Sequence, residues 1–291
     1  MRGGVLVAVA AYTWWGLSPW FWKMHTVPSV DAIAFRIAAT TILLGVVQAQ
    51  RHGFGNVRRL LADRRTRRAM TLSATMLATN WLGFVYAVNT DQVLQSSLGY
   101  FMNPLFAVLI GVLVLHERLH RLQAVAIGMA AMGVIVLSID VGAVPWLALM
   151  IAVTFAVYGY VRKTAPIESL DGLTLEVVLL VPAAVTYLVV RAVMGDGLLG
   201  VSVPGRDLWL AATGIVTAFP LLCFGWAARR IPLSLIGVLF YVNPTLQFLM
   251  GTVVYDEPWS GGQVAGYVIV WTGLALFALG SRHGVRRARA G

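Results

Sequence analysis

Read from end to end, the chain alternates long apolar stretches with short polar breaks. Ten stretches are long enough to cross about 30 Å of hydrocarbon at roughly 1.5 Å per residue. They span residues 4–22, 32–48, 69–89, 93–115, 123–139, 144–161, 172–190, 208–228, 233–255 and 263–279. The narrowest break is Thr90-Asp91-Gln92, between the third and fourth. A backbone in lipid must satisfy its own polar groups, so runs of this length predict helices. The expected fold is an all-α membrane protein of ten transmembrane helices.

The pattern occurs twice. Residues 103–133 laid on 243–273, a shift of 140 without a gap, give eight identities in thirty-one positions. They are Asn103/Asn243, Pro104/Pro244, Leu109/Leu249, Gly111/Gly251, Val114/Val254, Glu117/Glu257, Gln123/Gln263 and Gly133/Gly273. Asn, Pro, Glu and Gln are scarce in so apolar a chain, so apolar bias does not produce this set. The same register pairs Phe84 with Phe224, Ala87 with Ala227 and Asp31 with Asp171. The chain therefore divides into repeat 1 (1–139), repeat 2 (140–280) and a basic tail (281–291). Five helices is an odd number, so the second repeat must enter the membrane from the opposite side. Inverted repeats around a midplane site recur among secondary transporters.

Composition agrees with a membrane class. Hydrophobic residues make up 59% and charged residues 12%, where a soluble chain carries about a quarter charged. The net charge of +10 does not indicate nucleic acid, because the arginines lie between apolar runs. With the N-terminus in the cytoplasm, eighteen Lys and Arg fall in inside segments, and only Lys23, Arg191 and Arg206 fall outside. That bias puts both termini in the cytoplasm and the chain in the cytoplasmic membrane. Residues 51–68 are read as a loop on the anionic inner leaflet, each arginine contributing ~1 kcal/mol. The apolar start is followed by Tyr12, Trp14 and Trp15 with no small-residue cleavage site, so it reads as an uncleaved first helix. The single cysteine, Cys223, can form neither an internal disulfide nor, alone, a metal site.

A few polar residues inside the runs are candidates for chemistry. Arg36 in the second helix and Glu176 in the seventh are repeat mates. A charge at the bilayer centre costs ~2.5–3.5 kcal/mol, so they are expected to flank a central cavity from opposite leaflets, without a direct salt bridge; the bland alternative is snorkelling or helix packing. Asn103 and Asn243 are cavity-lining candidates beside Pro104 and Pro244, which are mid-helix hinge candidates because proline removes a backbone hydrogen bond. Pro182 and Pro220 are expected to break two more helices. Asn80, Trp15, Tyr100 and Tyr241 are cavity-lining candidates, with Tyr86 and Asn89 as further polar groups on the third helix. Trp20 and Trp22 are read as an interfacial belt. Gly262 and Gly266 form a small-xxx-small pattern for packing, within the bundle or at a dimer contact. No Walker loop, zinc-protease or nucleophile-elbow motif is present, and His116, Glu117 and His120 lie on a basic turn unsuited to a metal. No enzyme activity, cofactor or metal is expected.

Several ordered stretches resemble a known family. They are Ala11-Tyr12 with Trp15-Gly16 and Pro19, Asn80-Trp81 to Asn89, Ser97 to Phe101 with Asn103-Pro104-Leu105, Gly111 through Arg118, Phe155 to Lys163, and Pro220 to Phe224. Together they resemble the drug/metabolite transporter superfamily, in its EamA branch, and within it the RarD-type proteins named for chloramphenicol sensitivity. Gln95 stands where the pattern has an acid, and Pro258 where lysine is common. The resemblance implies a permease, in the exporting direction, for a small metabolite or drug. The expected partners are a small-molecule substrate and the phospholipid bilayer, with no nucleic acid, as monomer or homodimer. The competing class is a non-transporting scaffold, receptor or lipid-handling protein.

Overall fold

The computed structural model describes all residues except Met1, Thr26, His52, 90–92, His120, 142–145, 198–202, 255–259 and 288–291; for 88–89, 93–97, 140–141, 251, 263, 274 and 278–287 it describes the backbone alone. The loop Asp256-Glu257-Pro258 and the side chains of Asn89, Gln95 and Gln263 thus lie outside the described residues. Every described element is helical: α1 (Arg2–Trp22), α2 (Ser29–Arg51), α3 (Gly55–Ala62), α4 (Arg64–Asn89), α5 (Val93–Leu113), α6 (Arg121–Val141), α7 (Trp146–Thr164), α8 (Ser169–Val193), α9 (Arg206–Ala228), α10 (Leu233–Phe240), α11 (Val242–Leu249) with a π-helical turn Met250–Val254, and α12 (Gly261–Arg287).

Helices cover all ten apolar stretches, with differences at the edges. The basic segment read as a loop contains α3, whose Val57 is buried while Arg58 and Arg59 face outward. Residue α4 starts from is Arg64, earlier than expected, because the Asp63 carboxylate accepts the Thr66 backbone N–H at 2.8 Å and caps the helix. The Thr66 side chain, together with this backbone bond, holds the Asp63 carboxyl below the usual carboxylate range. Pro182 and Pro220 do not break their helices: α8 and α9 run through them. One missing hydrogen bond leaves the rest of the ladder intact. Residues 281–287, expected in the tail, continue α12.

Among the described residues, six helical segments are long and apolar enough to cross a membrane: α2, α6 to Ile139, α7, α8, α9, and 233–254. Helices α1 and α4 reach comparable lengths, but Tyr12, Trp14 and Trp15 in α1, and Ser73, Thr75 and Asn80 in α4, lower their apolarity. Large apolar side chains such as Leu6, Ile42, Ile139, Val193 and Leu208 stand exposed on the outside, as a lipid-facing surface requires.

Packing runs mainly between the two halves of the chain. Helix α1 lies on α9, α10 and α11, while α7 lies on α4 and α5; α2 contacts α9, as α8 contacts α4. The pairs α2·α8, α5·α10 and α6·α12 complete the bundle. Close approach at α6·α12 depends on glycine: a Cβ on Gly133 would lie 2.8 Å from the Gly266 carbonyl oxygen. The Gly262/Gly266 pattern therefore packs within the bundle at Gly266.

Candidate functional site

Helices α2 and α8 open alike, as Ser29-Val-Asp31 and Ser169-Leu-Asp171, and each carries its charge seven residues in. The two openings tie these helices to each other. Asp31 pairs with Arg191 of α8 at 3.4 Å. Asp171 accepts Gln48 Nε2 of α2 at 2.6 Å and also the Asn56 amide. This registers Arg36 and Glu176 inside the bundle, 8% and 0% exposed.

Arg36 sits among indoles. Its guanidinium carbon is 4.3 Å from the Trp81 ring centroid and 4.9 Å from that of Trp22, a doubly stacked cation–π arrangement. Its Nε donates to Thr217 Oγ1 of α9 at 2.6 Å. Trp22, read as interfacial belt, is thus turned onto the charge; Trp20 is 62% exposed. No described carboxylate pairs with Arg36. Glu176 is different. Ser73 of α4 donates to its Oε1 at 2.6 Å, Tyr158 reaches Oε2 at 3.5 Å, and Arg162 Nη1 lies 3.5 Å from Oε1. Arg162 also donates from Nη2 to the Ser169 carbonyl at 3.0 Å. There is no direct Arg36–Glu176 bridge.

Rings join the two charges. From Glu176, Tyr158 packs on Phe155 (centroids 5.6 Å apart), Phe155 on Phe240 (5.3 Å), and Phe240 on Tyr100 (6.0 Å). Tyr100 packs against the same buried cluster that holds Trp81, the ring under Arg36. Trp15 adds an edge contact to Phe155 at 5.6 Å, and Tyr12 one to Phe240 at 5.1 Å. Trp15 and Tyr100 therefore belong with Arg36 and Glu176. Trp14 turns away to α9, where Nε1 donates to the Val216 carbonyl at 3.1 Å.

The other sequence candidates lie elsewhere. Asn80 donates to the Ile151 carbonyl at 2.8 Å and Asn103 to that of Ala152 at 3.1 Å. Both amides fasten α7 to its neighbours. Asn243 accepts Gln247 Nε2 at 3.0 Å, one turn along its own helix. Tyr241 faces away from the ring column, 6.0 Å from Phe101 in a separate cluster with Tyr267; its neighbour Phe240 takes the inward place. Pro104 lies inside the unbroken α5, whereas Pro244 follows a break at Tyr241. An apolar hollow bounded by Pro104, Val108, Ala130, Val238 and Tyr241 contains none of the charged residues.

Sequence reasoning missed Arg162, counted as a loop charge yet 3% exposed. It also missed Tyr158, Phe155, Phe240 and Thr217. Glu117, known from the repeat only as a conserved-spacing mate, accepts the backbone N–H groups of Leu233 and Ser234 at 2.7 and 3.0 Å and so caps α10. That commits the carboxylate to the backbone; His120 lies outside the described residues.

An all-helical bundle with a lipid-facing apolar exterior, spanning helices and buried charges of both signs defines a multi-pass membrane protein of the transporter kind. The profile of the EamA-like transporter family matches residues 2–139. The RarD protein of Streptomyces exfoliatus is 38% identical over 291 residues, covering 99% of this chain and 92% of that protein. RarD of Escherichia coli is 35% identical over 287 residues (98% and 97%), and an uncharacterized transporter of Vibrio cholerae 34% over 292 (99% and 97%). The chain belongs to the EamA-like transporter family, among its RarD-type members. A solved crystal structure only 18% identical superposes with a TM-score of 0.72 over 96% of this chain and 98% of its own, which speaks for the fold.

Proposed function

We propose that this chain is a secondary permease that moves a small solute by alternating access between two inverted five-helix repeats, with both termini cytoplasmic and export as the net direction. The observation that carries this reading is a set of ring contacts, two in the ring column and one in the cluster beside it. Trp15 touches Phe155, Tyr100 touches Phe240, and Phe101 touches Tyr241. In all three contacts the partners are 140 residues apart, the offset of the repeat. A residue meets its own mate only near a twofold axis relating the halves. The helix contacts support the same axis, since each has a counterpart on exchange of the halves: α1·α9 with α7·α4, α2·α9 with α8·α4.

With five helices per half, such an axis lies in the membrane plane. Exchanging the conformations of the two halves then turns an inward-facing form into an outward-facing one. Arg36 and Glu176 fall on opposite sides of the ring column, one toward each surface. Bonds crossing between the halves, such as Arg36 to Thr217 and Ser73 to Glu176, are the ones that rocking would make and break. The scaffold reading draws on the packed ring column; in the transport reading that packing is an occluded form.

Trans-stimulated exchange in proteoliposomes tests the proposal, with a panel of aromatic amino acids, nucleosides and chloramphenicol. Saturable exchange of any one supports transport. A fully inserted chain that moves none of them would favour the scaffold. Labelling single cysteines at 51–68 from the outer face would overturn the topology.

A further inference from the structure

The two mates Arg36 and Glu176 are equivalent in position but not in charge balance. Glu176 has Arg162 at 3.5 Å, so that pair is neutral. Arg36 has one neutral hydroxyl acceptor, two indole faces and no described carboxylate. The nearest acid on its own helix, Asp31, is engaged by Arg191. The site as a whole therefore carries one buried positive charge whose partner the described residues do not supply. Burying an unpaired charge is costly, and a protein interior normally pairs it. Thr40 on the same helix adds a buried hydroxyl with no hydrogen-bond partner. A guanidinium presents its remaining N–H groups as a fork suited to carboxylate or sulfonate oxygens. Trp22 and Trp81 cover that fork with aromatic surface.

We infer that the solute carried by this chain is a monoanion with an aromatic or apolar body, its oxyanion seated on Arg36 and its ring among the indoles. This rests on the transport reading above and adds the sign of the charge. A dianion would leave a net negative charge in the site, and a cation would meet Arg36 as a like charge. A neutral ring would leave the guanidinium unpaired. The ring column offers the body a stacking path toward Glu176, whose neutral pair neither traps nor repels the anion.

The test uses the purified full chain with three probes of one shape: naphthalene-2-sulfonate, the uncharged naphthalene-2-sulfonamide, and the cationic naphthalen-2-ylmethylammonium. Equilibrium binding and proteoliposome flux are measured for each with tritiated compound. The sulfonate is expected to bind at least tenfold more tightly than the sulfonamide, about 1.4 kcal/mol. Arg36→Gln should reduce that ratio below twofold, and Arg36→Lys should keep part of it. The wild-type ratio stands as evidence even if Arg36→Gln fails to fold. Equal or better binding of the sulfonamide or the cation by the wild-type chain would overturn the inference, as would an unchanged ratio in Arg36→Gln. Saturable flux of the neutral or cationic probe without the anion would remove the charge assignment and leave transport standing. If no probe binds or crosses, and the wider panel also fails, transport itself falls and the inference with it.

Discussion

Breaking the Arg162–Glu176 pair from either side should destabilise the bundle by about 3–5 kcal/mol, as removing one member of a buried pair does. The two charges lie 3.5 Å apart with side chains 3% and 0% exposed; at an effective dielectric near 20 their attraction is about 4.7 kcal/mol. Glu176→Gln keeps an oxygen for the Ser73 hydroxyl, so most of its loss is charge pairing. It leaves Arg162 with only the Ser169 carbonyl at 3.0 Å. Arg162→Met leaves the carboxylate with two hydroxyl neighbours, Ser73 and Tyr158. The double variant restores neutrality and should lie within roughly 2 kcal/mol of the wild type. The assay is reversible unfolding in mixed micelles, followed by tryptophan fluorescence and evaluated as a double-mutant cycle. With single losses of at least about 3 kcal/mol each and a double loss of roughly 2, a coupling of about 4 kcal/mol or more is expected. If the two single effects add to the double within about 0.5 kcal/mol, the charges are independent and the reasoning fails.

Three further outcomes follow from the geometry. Arg162 lies in a slot floored by glycine: a Cβ on Gly172 would fall 1.8 Å from Nη1, and one on Gly225 2.5 Å from Nη2. Gly172→Ala should therefore displace the guanidinium and reproduce much of the Glu176→Gln loss in the same melts, with no charge changed. Glu117→Ala removes the acceptor of two backbone N–H groups at the start of α10 and should cost about 1–2 kcal/mol, as lost helix caps do; faster amide exchange at Leu233 and Ser234 checks it. Asp63 has its carboxyl held low by the Thr66 bond. Its cap should therefore be complete above the ordinary aspartate range and be lost as pH falls through the depressed value. Protection of the Thr66 amide should fall on acidification in the wild type but not in Asp63→Asn.

Helix positions were legible because apolar length and polar breaks alone determine them. The 140-residue correspondence is visible in the sequence itself because Asn103-Pro104 and Glu117 stand out in an apolar chain. The inward faces were harder to read. Lipid is as apolar as the core, so a buried face and a lipid face carry the same residue types and no amphipathic stripe separates them. The sequence therefore does not distinguish Tyr241 from Phe240, or Trp14 from Trp15; the orientation of the helices does. In sequence Arg162 looks like a loop charge because it ends an apolar run beside Lys163. Trp22 was read as a belt residue because it ends another. These two are themselves 140 residues apart, and each lies against the other half-site residue on its side, Arg162 on Glu176 and Trp22 on Arg36. Comparing mates of unlike chemistry, rather than identical ones, was the signal that could have found them.

The interlocking of the first helix with the late ones bears on biogenesis. Helix α1 ends at Trp22, yet its neighbour α9 begins only at Arg206. At 5–20 residues per second, roughly ten to forty seconds of synthesis separate them. For most of that interval Arg36 has been made and Thr217 has not. Slow elongation or early release from the insertion machinery should therefore produce truncated or misinserted chains at this stage, before the ribosome has finished.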